Sequence, residues 1–197
     1  MNNEKEFTNN FLYDYYKQDL LNPEEIKKVH EIAQKFKHIN KSTGRIGNGD
    51  DGQINPEIRR STVIWIPNNQ DTSWLYKKVT DAVRKINDDT YQFELVGAEP
   101  FQYTIYNDTE RGEYKWHTDM SYVDSYIRKI SVSILLSDTN DYKGGAFLIS
   151  LGQHAEEMEQ EKGRMLVFPS WTRHCVTPVL KGTRISLVMW LYGKKFK

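Results

Sequence analysis

The chain has 197 residues, enough for one domain with a sizeable core. Its 27 basic and 27 acidic residues cancel, which gives no electrostatic case for nucleic-acid binding, and no stretch has the length and apolarity of a membrane span. A single cysteine, Cys175, excludes an internal disulfide and a cysteine-rich zinc site; with a polar first stretch that lacks the apolar core of a signal peptide, the expected location is cytoplasmic.

Residues 22–38, NPEEIKKVHEIAQKFKH, read as a helix. Asn22 can cap it, Pro23 suits its first turn and acidic residues follow. Ile26, Val29, Ile32, Ala33 and Phe36 form one apolar face. Residues 43–55 follow as a glycine-rich loop without periodicity. It is no phosphate loop, because it lacks a Gly-Lys-Ser/Thr ending on a helix. RSTVIWIP reads as a strand stopped by Pro67. Residues 71–89 read as a second helix capped by Asp71, with Leu75, Val79, Ala82, Val83 and Ile86 on one side. From residue 91 the texture changes to short β-type runs, at 91–95, 101–107, 113–119, 129–137, 145–150, 153–158, 164–168, 174–179 and 184–192. DYKGGA and LKGTR are turn signals. The prediction is a mainly β protein, with α-helical N-terminal support feeding a sandwich of jelly-roll size.

YKWHTDMSY, residues 114–122, places His117 and Asp119 two apart. On a strand reaching Asp119 both point to one face. The pair alone is open to two readings, a metal site or two polar residues on a wet strand. A third ligand would be a histidine on another strand. His30 is on the first helix and His38 ends it. His154 begins a short strand with no companion motif. His174, in FPSWTRHCVTPV, opens a late strand ten residues before Arg184 in GTRIS. Two imidazoles and one carboxylate leave positions open on a ferrous ion. Arg184 in TRISLVMWL would be a costly charge inside an apolar strand unless it meets an anion. A guanidinium fork suits the distal carboxylate of a chelating dicarboxylate, and Ser186 shares its face.

The order His-x-Asp, then His, then Arg-x-Ser resembles that of the Fe(II)- and 2-oxoglutarate-dependent dioxygenases. QYTIYNDTERGEYKWHTD, SILLSD, YKGGAF, GRMLVFPSWTRHCVTPV and GTRISLVMW are similar, in order, to the core of their prolyl-hydroxylase-like members. The resemblance implies one domain, with a double-stranded β-helix (jelly-roll) core over residues 95–193 and helical support over 1–94. By it His117, Asp119 and His174 would bind Fe(II), and Arg184 would hold the distal carboxylate of 2-oxoglutarate. Tyr106 would reach the co-substrate near the metal, with Ser186 beside Arg184. Trp190 would line the same pocket and Arg128 would stand at the substrate entrance; Trp116, next to His117, is grouped with them. Some prolyl hydroxylases place a second phenolic contact to the distal carboxylate where this chain has Leu135, so Ser186 or Ser133 would take that part. Plainer readings stand beside these: Trp190 as core, Tyr106 bonded to backbone, Arg128 as a solvated strand start, and EEMEQE as a wet strand and turn.

The implied reaction is O2-dependent hydroxylation of an unactivated C–H bond, with 2-oxoglutarate converted to succinate and carbon dioxide. The implied substrate is a prolyl or similar residue in a peptide or protein, or a free amino acid. Ascorbate is a candidate accessory reductant. Two other functions compete. One is repair of alkylated nucleic acid, against which Trp190 stands where that branch has a second arginine, six residues after Arg184. The other is a non-catalytic jelly-roll binding module. In prolyl-hydroxylase-like enzymes a mobile segment before the barrel often closes over substrate. By that likeness the 43–55 loop would be a lid, and otherwise a surface excursion.

Overall fold

A computed structural model describes residues 16–44, 53–152 and 154–196. In chain order the elements are β1 (Tyr16–Asp19), α1 (Pro23–Asn40), β2 (Lys41–Thr43), β3 (Arg59–Arg60), β4 (Thr62–Ile66), α2 (Ser73–Ile86), β5 (Leu95–Ala98), β6 (Phe101–Asn107) and β7 (Glu113–His117). They continue with β8 (Tyr122–Val123), β9 (Tyr126–Leu135), β10 (Tyr142–Gly144), β11 (Phe147–Leu151), β12 (His154–Glu157), β13 (Arg164–Pro169), β14 (His174–Val176) and β15 (Val179–Gly193). Among the described residues no helix is long and apolar enough to cross a membrane.

The first helix starts as its sequence dictates. The Glu25 N–H donates to Asn22 Oδ1 and the Asn22 N–H donates to Glu25 Oε2, both at 2.9 Å, a reciprocal capping box ahead of the apolar face. Lys78 of α2 reaches the same Glu25 at 2.6 Å and ties the two helices together.

Two expectations need correction. Asp71 does not cap α2; its carboxylate is exposed, 3.7 Å from Lys35. Thr72 occupies the cap position, but its hydroxyl donates to the Pro67 carbonyl at 2.8 Å and accepts from the Asn69 N–H at 2.8 Å. That hydroxyl therefore holds the incoming turn and not the helix end. The run at 91–95 is not a strand. Asn87–Tyr91 form one wide π-type turn. The Asn87 side chain then takes both the N–H and the carbonyl of Phe93, at 3.0 and 3.1 Å, the groups a ladder would need. β5 starts only at Leu95.

The strands form two antiparallel sheets. The larger runs β1-β13-β9-β15-β6-β4-β2, with β5, β8 and β10 attached at its margins; the smaller runs β12-β11-β14-β7-β3. Alternation gives the larger sheet two different faces. Ile64, Ile66, Phe101, Tyr103, Ile130, Ile134, Met165, Val167, Leu187, Met189 and Leu191 join the apolar faces of α1 and α2 in the main core. The opposite face meets the smaller sheet. There Tyr106, Leu166, Phe168 and Val179 pack with Phe147, Ile149, Met158 and Val176 as a second cluster, at one end of a cavity. Most of the glycine-rich loop, residues 45–52, lies outside the described residues.

Candidate metal and co-substrate site

β7 and β14 are hydrogen-bonded neighbours in the smaller sheet, with His117 directly opposite His174. Pairing therefore brings two imidazoles together from distant points of the chain. β7 ends at His117, so Asp119 is not held by the pleat as expected. The loop aims it instead: its N–H donates to the Ser170 carbonyl at 2.9 Å. The candidate ligand atoms of His117, Asp119 and His174 all lie within 4.8 Å of one another. His117 Nε2 is 3.6 Å from Asp119 Oδ1, and His174 Nε2 is 3.5 Å from Asp119 Oδ2. Such spacings are too long for good hydrogen bonds and short enough for one shared cation.

The surrounding bonds prepare these atoms. The Lys115 carbonyl lies 2.7 Å from His117 Nδ1, and the Thr172 carbonyl lies 2.9 Å from His174 Nδ1. A carbonyl can only accept, so each Nδ1 carries the proton and each Nε2 presents a lone pair to the shared centre. Ser131 Oγ donates to Asp119 Oδ2 at 2.8 Å and lies 3.1 Å from Ser170 Oγ. Burial opposes ionisation of Asp119. The two histidines beside it and the nearby Trp190 indole, which is beyond hydrogen-bond geometry, more than offset that and hold its carboxyl well below the usual range. Burial pushes His174 down to about 4, against the opposing pull of Asp119. At neutral pH the site is a carboxylate with a neutral His174, a donor set that fits a two-histidine, one-carboxylate iron centre. The Tyr114 ring stacks on His117 with centroids 3.5 Å apart, and the Arg59 guanidinium carbon lies 4.6 Å from the Tyr114 ring centroid.

The same cavity, about 800 Å³, reaches Arg184. Arg184 is fully buried on β15, and among the described residues it forms no ion pair. Its Nη1 donates to Ser186 Oγ at 3.3 Å and its Nη2 to Gln160 Oε1 at 2.7 Å, while Nε–H has no partner. Gly145, at φ +63°, leaves room for it; a Cβ there would come within 2.9 Å of Arg184 Cδ. An orphaned buried donor on an uncompensated buried cation is what an anion-binding position requires. Tyr106 lines the cavity with its ring centre 5.6 Å from the guanidinium carbon. Ser133 lines it too, whereas Leu135 stands opposite Ser186 in the ladder.

Trp190 and Arg128 also line the cavity. Arg128 lies 4.0 Å over the Trp190 ring and forms a two-point ion pair with Glu99, at 2.5 and 2.6 Å. The charge of Arg128 is thus already balanced. Trp116 is not brought to the cavity. It alternates with His117 along β7 and stands on the outer side, partly exposed, 5.5 Å from the Arg173 guanidinium.

Glu99, Arg59, Tyr114, Ser131 and Gln160 were not singled out from the sequence. For Ser131 a signal existed: serines at 131 and 133 alternate with Ile and Val in a strand too apolar to be wet on one face. Gln160 offered none, since it sits in the acidic run EEMEQE. That run is exposed along β12, as expected, but turns inward at Met158 and Gln160.

The model of the 2OG-Fe(II) oxygenase superfamily matches residues 101–192, the stretch that supplies every candidate ligand and Arg184. Over that stretch, somewhat under half of its length, the chain is similar to that superfamily, whose Fe(II) and 2-oxoglutarate suit the donor set described above. A PKHD-type hydroxylase of Synechococcus sp. strain CC9605 is 38% identical over 79 residues, covering 40% of this chain and 36% of that protein. The match thus spans about a third of that relative's length. The PKHD-type hydroxylase YbiX of Escherichia coli strain 55989 is 26% identical over 90% of this chain and 77% of its own length. A prolyl hydroxylase of Trichoplax adhaerens, solved with a hypoxia-inducible-factor peptide fragment, superposes with TM-score 0.74 at 16% identity, over 93% of this chain and 84% of that one. It shows the jelly-roll fold of the prolyl-hydroxylase-like members.

Proposed function

We propose that this chain is an Fe(II)- and 2-oxoglutarate-dependent hydroxylase, with its catalytic core over residues 95–193 and its helical support before them. One observation carries the reading: three convergent candidate metal-ligand side chains open onto the same cavity as a buried arginine that, among the described residues, has an unused N–H and no acidic partner. An iron ion bound there would supply oxygen activation coupled to oxidation of the 2-oxo acid. The chain's own groups do the rest. His117 and His174 offer lone pairs because their Nδ1 protons are tied to backbone carbonyls. Ser131 holds Asp119 as an ionised ligand. Arg184, with Ser186 and Tyr106, binds the distal carboxylate and so orients the chelating end toward the metal. Trp190 and the balanced Arg128–Glu99 pair form the way in for substrate. A prolyl or similar residue of a peptide, or a free amino acid, is the substrate class. The peptide bound by the Trichoplax prolyl hydroxylase supports the first of these.

The test is anaerobic calorimetry with Mn(II) in place of iron, paired with a succinate assay under air. Wild type forms succinate only with both Fe(II) and 2-oxoglutarate. Arg184→Ala leaves Mn(II) affinity unchanged and weakens 2-oxoglutarate by roughly 30-fold or more, the cost of unpairing a desolvated carboxylate. Equal 2-oxoglutarate affinity in the two proteins would overturn the assignment of Arg184.

A further inference from the structure

The connection from β12 to β13 carries Glu159, Gln160 and Glu161 in succession. Both glutamates turn outward: Glu159 lies 3.4 Å from Lys17 and 3.5 Å from Arg164, and Glu161 lies 2.9 Å from Arg164. Only the neutral residue between them turns inward, where its Oε1 accepts from Arg184 Nη2 at 2.7 Å. Ser186, also neutral, accepts from Nη1 at 3.3 Å. The guanidinium is therefore pinned at both ends by groups that satisfy donors without cancelling charge. Its Nε–H is left over, and Gln160 itself is not part of the cavity wall. Two acceptors fix the plane of a planar fork, and a fixed plane is what two-point recognition of a carboxylate needs. A carboxylate in place of Gln160 would make the same hydrogen bond but neutralise the arginine.

We propose that Gln160 is a positioning residue that fixes the plane of Arg184 while preserving its positive charge, and thereby makes the co-substrate pocket selective for an acid with a carboxylate at its far end. The inference rests on Arg184 being the anchor of 2-oxoglutarate. Gln160 acts from behind the arginine, through orientation and charge.

The experiment compares two ligands that chelate metal through the same 2-oxo acid group and differ only at the far end: 2-oxoglutarate and 2-oxopentanoate, whose distal group is a neutral methyl. Their dissociation constants are measured by calorimetry on the Mn(II)-loaded protein under nitrogen. In Gln160→Glu the 2-oxoglutarate constant rises on the order of tenfold or more, as expected for a negative charge a few ångströms behind the guanidinium. The 2-oxopentanoate constant changes much less, so the preference between the two shrinks by a similar factor. Gln160→Ala, which adds no charge and is a milder test of folding, weakens 2-oxoglutarate a few-fold and narrows the preference less. A purely structural role would weaken both ligands alike. Equal weakening of both ligands, or a 2-oxoglutarate constant within twofold of wild type in Gln160→Glu, would overturn the proposal. Failure of the anchor reading is distinguishable, because it shows as unchanged 2-oxoglutarate affinity in Arg184→Ala with Gln160 intact.

Discussion

The two faces of β15 bury different kinds of side chain. Leu187, Met189 and Leu191 point to the helices and are buried among aliphatic side chains. Arg184, Ser186, Val188 and Trp190 point the other way into the cavity. Both faces are buried, yet only one is packed for stability alone. The helix-side face gains from removing apolar surface from water and has no polar group to satisfy. The cavity-side face keeps a buried cation and, among the described residues, an orphaned Arg184 N–H and an unpartnered Trp190 N–H. Groups of that kind cost stability and persist where a ligand completes them.

Substitutions on each side of this divide separate the two contributions. The largest effect is expected from His174→Ala: metal-dependent succinate formation is lost, while denaturant unfolding of the metal-free protein remains a single cooperative transition. Wild-type succinate output would remove His174 from the ligand set. Leu187→Ala, on the other face, should do the reverse. It leaves a void at a fully buried position and costs about 2–5 kcal/mol of unfolding free energy, with Mn(II) and 2-oxoglutarate affinities intact at low temperature. A smaller stability loss than that of His174→Ala would contradict the division between the faces. Ser131→Ala removes the hydroxyl that bonds Asp119 Oδ2 and sharpens the comparison, because the residue is a neighbour of the helix-facing Ile130 and Val132 in β9. Metal affinity should fall by roughly 10- to 100-fold with little change in unfolding free energy. A Mn(II) titration within twofold of wild type would show that the Ser131 bond does not orient the ligand.

Local rules made much of this protein legible before any fold was known. The Asn22–Glu25 box follows from residues three apart, and the β15 alternation follows from the two-residue period of a strand; neither needs a distant partner. The same period made Arg184 conspicuous as a charge in an apolar run. Where one local signal fails, a competing local bond wins: the Asn87 side chain captures the backbone of Phe93, and the Thr72 hydroxyl is engaged by the turn before α2. Trp116 stays outside the cavity because adjacent residues on a strand face opposite sides and His117 takes the inner one.

The sequence by itself determined the helical and strand periodicities, the candidate ligand types and the conspicuous arginine, because each is written in residue identity and spacing over a few positions. Only the tertiary structure decided that His117 lies opposite His174, that Ser131 supports Asp119, that Glu99 balances Arg128, and that Gln160 rather than either flanking glutamate reaches Arg184. Those pairings join residues far apart in the chain, or choose between near-identical neighbours by the direction in which the backbone turns. No local preference specifies either; strand pairing within each sheet and the meeting of the two sheets at the cavity do.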